Sequence, residues 1–137
     1  MVSDCIFCKI VSGDIPASKV YEDDQFLAFL DISQVTPGHT LVIPKKHARN
    51  LLEMTPDETA DLFNVVSIVT KKVESATQPQ GMNIISNMEE IAGQSVFHTH
   101  VHILPRYSQD DDLKIDFIAH EPDFDHLAQL AKDISNH

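Results

Sequence analysis

The stretch Gly93-Gln94-Ser95-Val96-Phe97-His98-Thr99-His100-Val101-His102-Ile103-Leu104-Pro105-Arg106 places a histidine at every second position, with β-branched residues between and after them. Such alternation predicts a strand, because β-branched side chains suit a pleated surface and successive side chains point to opposite faces. His98, His100 and His102 would then stand in one row, about 7 Å apart, with Thr99, Val101 and Ile103 packed on the other side. Histidine can attack as a nucleophile, move a proton near neutral pH or bind a metal, and the spacing alone leaves these uses open. Alternating histidines can also be mere polar surface; three of them beside a Gly-Gln-Ser turn argue for a site.

At 137 residues and 42% hydrophobic content, the sequence predicts a single domain over residues 1–137 with its own core. Met1-Val2-Ser3-Asp4 has neither the charged nor the apolar part of a secretory leader, and no apolar run nears the ~18 residues of a membrane span. A soluble, cytoplasmic protein is expected. The formal charge of −11 argues against nucleic-acid and anionic-membrane partners, which need a basic surface. An anionic ligand must therefore be held by local groups.

Cys5 and Cys8 form a Cys-Ile-Phe-Cys pair. In a cytosolic chain a structural disulfide is disfavoured, and a thioredoxin-like redox pair needs a βα setting absent here. The pair reads better as half of a tetrahedral metal site whose other two ligands must be histidines, against the plainer reading of two small buried side chains.

Along the chain, Ile6–Ser12 reads as a short helix ended by Gly13, and Lys19–Glu22 with Phe26–Asp31 as a hairpin around Asp23-Asp24. The Phe26 run is apolar enough to be buried on both faces, which leaves Asp31 at a strand end. His39–Pro44 is a third strand. Thr55, Pro56 and Glu58 carry the N-cap, first-turn proline and capping-box signals of a long helix, continued by Leu62, Val65, Val66, Val69 and Val73. Met82–Asn87 is a fourth strand, looping back so that Asn87 lies at the same end as Ser95. Phe124, Leu127, Leu130, Ala131 and Ile134 predict a short amphipathic C-terminal helix. The whole is an α+β domain: an antiparallel sheet of about five strands with one long helix.

The chain resembles the histidine triad proteins, and specifically their Hint-like, zinc-bearing branch. His98-Thr99-His100-Val101-His102-Ile103-Leu104 is similar to the family signature, as is the preceding Gly93-Gln94-Ser95-Val96. The likeness continues upstream through Ile6-Phe7, Ile15-Pro16-Ala17, Leu27-Ala28-Phe29, Asp31-Ile32-Ser33 and Leu41-Val42-Ile43-Pro44-Lys45-Lys46-His47, covering roughly residues 5–106. Thr99 departs from the hydrophobe preferred there, on the side away from the triad.

The resemblance implies a homodimeric nucleotide hydrolase or nucleotidyl transferase. It would act at the α-phosphate of nucleoside phosphoramidates or dinucleoside polyphosphates, with His100 as the nucleophile that forms a covalent nucleotidyl-histidine. It further implies His102, Asn87, Gln94, Ser95 and the Val96 N–H around the phosphate, and His39 as a supporting histidine. Asp31 would hold the ribose, and Phe7, Ile10, Ile15, Phe29 and Ile32 would line the slot for a purine base. Cys5, Cys8, His47 and His98 would bind structural zinc that takes no part in the chemical step. His120, His126 and His137 match no family position and read as surface. Two further classes are carried alongside: a purine-nucleotide-binding regulatory dimer with incidental hydrolysis, and a metallohydrolase using His98, His100 and His102 as ligands.

Overall fold

Five strands form one antiparallel sheet in the order β1-β2-β3-β5-β4: Lys19–Glu22 (β1), Phe26–Leu30 (β2), Thr40–Pro44 (β3), Gly81–Ile85 (β4) and Val101–Arg106 (β5). Among the described residues three α-helices accompany them, Ile6–Ser12 (α1), Pro56–Thr77 (α2) and Phe124–Ser135 (α3). The computed structural model describes residues 4–137; Met1, Val2 and Ser3, read above for a leader segment, lie outside the described residues.

The period of two decides which face each residue serves. Phe26, Ala28, Val42, Val101 and Ile103 turn to one side and pack against Leu62, Val65, Val66, Val69 and Val73 of α2. Leu27, Phe29, Leu41 and Ile43 turn to the other and pack against Cys5, Phe7, Cys8 and Ile10 at the N-terminal end of the chain. Both faces are thus covered at β2 and β3, as the continuous apolar run of β2 predicts. Because Leu41 pairs with His102 in the ladder, His102 belongs to the α1 side.

Local chemistry fixes the elements that carry this arrangement. Thr55 caps α2 through Glu58 N–H, and the Glu58 carboxylate returns to Thr55 N–H, so the capping box is complete. Gly13 closes α1 with φ 87°, a conformation in which a Cβ atom is strained. Asp23 turns the β1-β2 hairpin by accepting from the N–H groups of Gln25 and Phe26.

Two expectations are corrected. The histidine strand starts only at Val101; His98, Thr99 and His100 lie before the ladder. Thr99 N–H and Oγ1 both donate to the Ala48 carbonyl, at 2.7 and 3.0 Å, drawing this segment toward residues 47–50 instead of onto a neighbouring strand. The flanking strands are also shorter than read: β2 stops before Asp31, β3 starts after His39, and β4 ends at Ile85. The C-terminal helix forms as expected, yet all twelve of its residues are exposed.

Candidate functional site

Hydrogen bonds fix the tautomer of each histidine of the row, with His98 and His102 protonated on Nε2 and His100 on Nδ1, which the alternating spacing alone could not reveal. A carbonyl can only accept, so the ring nitrogen that faces one carries the proton. His98 Nε2 lies 2.7 Å from the Pro44 carbonyl, leaving the Nδ1 lone pair free. His100 does the reverse: Nδ1 donates to the His98 carbonyl at 2.7 Å, leaving the lone pair on Nε2. For His39, Val35 N–H donates to Nδ1 at 3.3 Å, so Nε2–H donates to His102 Nδ1 at 2.9 Å. His102 is then a donor at Nε2.

These rings are dry and neutral. His39 is 2% exposed, His98 0% and His100 5%. Burial drives the pKa of His98 and of His102 down to about 4 and lowers those of His100 and His39. In His39 the carboxylate of Asp31, with Oδ2 at 3.7 Å from Nε2, opposes the shift. The sign of the resulting pH dependence follows from the unfolded chain, whose histidines titrate at ordinary values. Stability from the neutral rings is fully present above about pH 6.5 and lost as pH falls toward about 4, by up to about 1.4 kcal/mol per pH unit for one proton. Urea midpoints between pH 7.5 and 4.5 should therefore fall, and His102→Gln should flatten the slope; an unchanged slope would remove His102 from this account.

An apolar cavity of about 240 Å³ has in its wall Phe7, whose ring packs against His100. Phe7, Ile10, Ile15, Phe29, Asp31, Ile32 and Val96 all line it, so the residues expected to form a base slot are brought together. Ile6, Pro16, Ala17, Leu30 and Leu41 complete it; they carry no polar signal that would single them out. Phe7 packs edge-on to both His100 and Phe29, with centroids 5.1 and 5.6 Å away. Asp31 follows β2 at the cavity rim, its Oδ1 held by Ser33 N–H at 2.7 Å. Ile32 contributes from a side chain that is 99% exposed.

Ser95 and Val96 line a second cleft with Arg49, Glu53 and Phe97, and Val96 and Ile6 line both it and the apolar cavity. Asn87 follows Ser86, whose hydroxyl donates to the His100 carbonyl at 2.9 Å. Gln94 differs from expectation: at 2% exposure its amide is spent on the Arg49 and Val96 carbonyls and on the Asn50 and Glu89 donors, so it braces the loop. Arg49, Asn50 and Glu89 were not foreseen. His120, His126 and His137 are exposed, as read.

On the other flank, Cys5, Cys8, His47 and His98 converge with all four donor atoms within 4.8 Å of one another, a set that could hold a metal ion. His98 Nδ1 is 3.3 Å from Cys5 Sγ, 3.5 Å from Cys8 Sγ and 3.2 Å from His47 Nδ1. Two sulfurs at about 2.3 Å and two nitrogens at about 2.0 Å around tetrahedral zinc stand roughly 3.3–3.8 Å from one another, so the donor set fits that ion. The three histidines of the row do not themselves form a ligand set. His98 faces the thiols, His100 Nδ1 is tied to a carbonyl, and His102 pairs with His39, so the three do not converge as the ligand set that the metallohydrolase reading needs.

The family model of the HIT domain matches residues 12–109. Protein hit of Bacillus subtilis (strain 168) is 50% identical over 121 residues, covering 88% of this chain and 83% of that protein. Adenosine 5'-monophosphoramidase hnt1 of Schizosaccharomyces pombe is 39% identical over 132 residues, 96% of each chain. The crystal structure of SMU.412c from Streptococcus mutans UA159 superposes with a TM-score of 0.95 at 57% identity, covering 99% of this chain and 86% of that one. With the sheet, the three buried rings and these matches spanning most of its length, the chain belongs to the HIT domain family.

Proposed function

We propose that this protein is a nucleotidyl hydrolase or transferase that cleaves nucleoside phosphoramidates or dinucleoside polyphosphates at the α-phosphate, with His100 as nucleophile. The observation that carries this reading is the lock on His100: Nδ1–H is fixed on the His98 carbonyl, so the ring keeps its lone pair on Nε2 while packing against Phe7 of the cavity wall. The base fills that cavity and Asp31 accepts the ribose hydroxyls, for which a carboxylate is suited because it takes two O–H donors. Nε2 attacks phosphorus, the bond to the leaving atom breaks with its electron pair, and water later opens the phosphorus–nitrogen bond to restore the ring.

His102 Nε2–H, Asn87, Ser95 and the Val96 N–H stabilise the non-bridging oxygens as negative charge develops. Neutral donors suffice, which reconciles an anionic substrate with a chain of net charge −11. Cys5, Cys8, His47 and His98 would hold structural zinc, whose contribution is to cross-link the N-terminus to the residue whose carbonyl orients His100. Screening purified protein against phosphoramidates and dinucleoside polyphosphates tests the reading. Tight AMP binding without turnover of any of them would favour a regulatory nucleotide-binding protein instead.

The same reading includes a homodimer. Phe63 and Ile68 on α2, Ile84 on the edge strand β4, and Phe124, Leu127, Leu130 and Ile134 on α3 are large apolar side chains between 37% and 75% exposed. Apolar surface on that scale, together with an open strand edge, is what a second copy would cover. Sedimentation at micromolar concentration should give twice the chain mass; a monomer there would remove this part.

A further inference from the structure

The loop between β4 and the histidine segment holds a non-glycine residue in a glycine conformation. Glu89 has φ 77° and ψ 160°, a region that a Cβ atom makes costly and that is essentially reserved for glycine. Such a residue persists only where its surroundings over-determine it. Arg49 donates through Nε and Nη2 to the two carboxylate oxygens at 2.7 and 2.9 Å, and buried Asn50 donates to the same carboxylate at 2.8 Å. The backbone of Glu89 is held as well: its N–H donates to Gln94 Oε1 at 2.8 Å, and its carbonyl accepts from the N–H groups of Ala92 and Gln94, both at 3.1 Å.

Gln94 passes the constraint on. Its Nε2 donates to the carbonyls of Arg49 and Val96, so both neighbours of Ser95 are tied to the Arg49–Glu89 pair. Asn87, two residues before Glu89, donates across the loop mouth to the Gly93 carbonyl at 3.4 Å. Arg49 itself is pinned from above, its guanidinium 4.1 Å from the Phe97 ring centroid.

We propose that Glu89 is a positioning residue: clamped by Arg49 and Asn50, it holds a glycine-like turn that sets Asn87, Ser95 and the Val96 N–H at the spacing a phosphate requires. This rests on the phosphate-binding role given to those three groups above. Glu89 touches no substrate and acts through the loop. Clamp and turn depend on each other, since the carboxylate bonds offset a strain that the Cβ atom of the same residue creates. Alanine at this position would keep the strain and lose the clamp, so the turn relaxes. Glycine would lose both, so the turn survives without the clamp. The usual order, in which glycine is the more damaging of the two, is therefore inverted.

The test compares wild type, Glu89→Ala and Glu89→Gly in the full chain, by amide hydrogen exchange and by calorimetric binding of AMP and adenosine. In Glu89→Ala the Gln94 amide should exchange at least about tenfold faster while α2 amides are unchanged. AMP affinity should fall at least about tenfold and adenosine affinity by less than about twofold, because every base and ribose contact except Val96 lies on other elements. Glu89→Gly should return both readouts to within about threefold of wild type. Wild-type exchange and AMP affinity in Glu89→Ala, equal weakening of AMP and adenosine, or a glycine variant as impaired as the alanine one would each overturn the proposal. A wild type that binds neither ligand would sink the nucleotide reading instead, while the exchange comparison still decides whether Glu89 sets the loop.

Discussion

Replacing His100 with alanine is expected to lower kcat by at least about 10³-fold while leaving AMP affinity within roughly tenfold, about 1.4 kcal/mol. The split follows from when each group acts. A nucleophile is needed only for bond making, whereas in the proposed reading Asn87, Ser95, His102 and Asp31 would hold phosphate and ribose in the ground state too. The ring also has a structural use, since its Nδ1–H satisfies the buried His98 carbonyl at 2.7 Å, so the variant should lose about 1–3 kcal/mol of stability and must be assayed well below its melting temperature. Asp31→Ala should behave in the opposite way, weakening ribonucleotides more than deoxyribonucleotides with a smaller change in turnover. A phosphoramidate on histidine is acid-labile, so an alkaline quench followed by mass spectrometry is the suitable trap. An adduct on His98 or His102, or full activity in His100→Ala, would falsify the assignment.

Where local chemistry decided the outcome, the sequence was legible. Thr55, Pro56 and Glu58 start α2 by satisfying its first N–H groups, and the buried side of that helix consists of Leu62, Val65, Val66, Val69 and Val73, the residues read from their spacing. Gly13 ends α1 for an equally local reason. The row of histidines was only half legible. Alternation placed His98, His100 and His102 toward one side, where Phe7 packs on both of the first two, but it could not show that Thr99 would bond to Ala48 and keep those two off the ladder.

Backbone groups also decide the tautomers, and they belong to Pro44, Val35 and His98, of which only Pro44 is distant in sequence from the ring it fixes and none carries a side-chain signal for that role. The turn at Glu89 was illegible for a sharper reason. Glutamate is not a turn signal, and its positive φ is accompanied by contacts to its carboxylate from Arg49 and Asn50, about forty positions earlier, which no local pattern reveals. Gln94 illustrates the same limit: its place in the motif suggests a ligand contact, whereas a buried primary amide with four partners is a brace.

Cys5→Ser should remove near-stoichiometric zinc and lower the melting temperature by roughly 10 °C, corresponding to a loss of about 2–4 kcal/mol. The substitution is a clean one because Cys5 has two duties. Its sulfur caps α1 by accepting from Cys8 N–H at 3.3 Å, and serine is among the best N-caps, so the helix end is preserved and only the thiolate ligand is lost. Burial raises the Cys5 pKa, which makes a cation the natural partner for this buried thiol: metal binding releases the proton and converts a poorly placed acid into a ligand. The loss should also reach the candidate nucleophile. His98 Nδ1 faces the thiols and its carbonyl orients His100, so a His98 ring freed from the metal loosens the Nδ1–H lock, and turnover should drop by about tenfold. Metal analysis of untagged protein, with melting curves before and after chelation, checks both links. A metal-free wild type as stable as the zinc-loaded form would remove the structural metal, and a Cys5→Ser variant with full turnover would break the connection between metal and nucleophile.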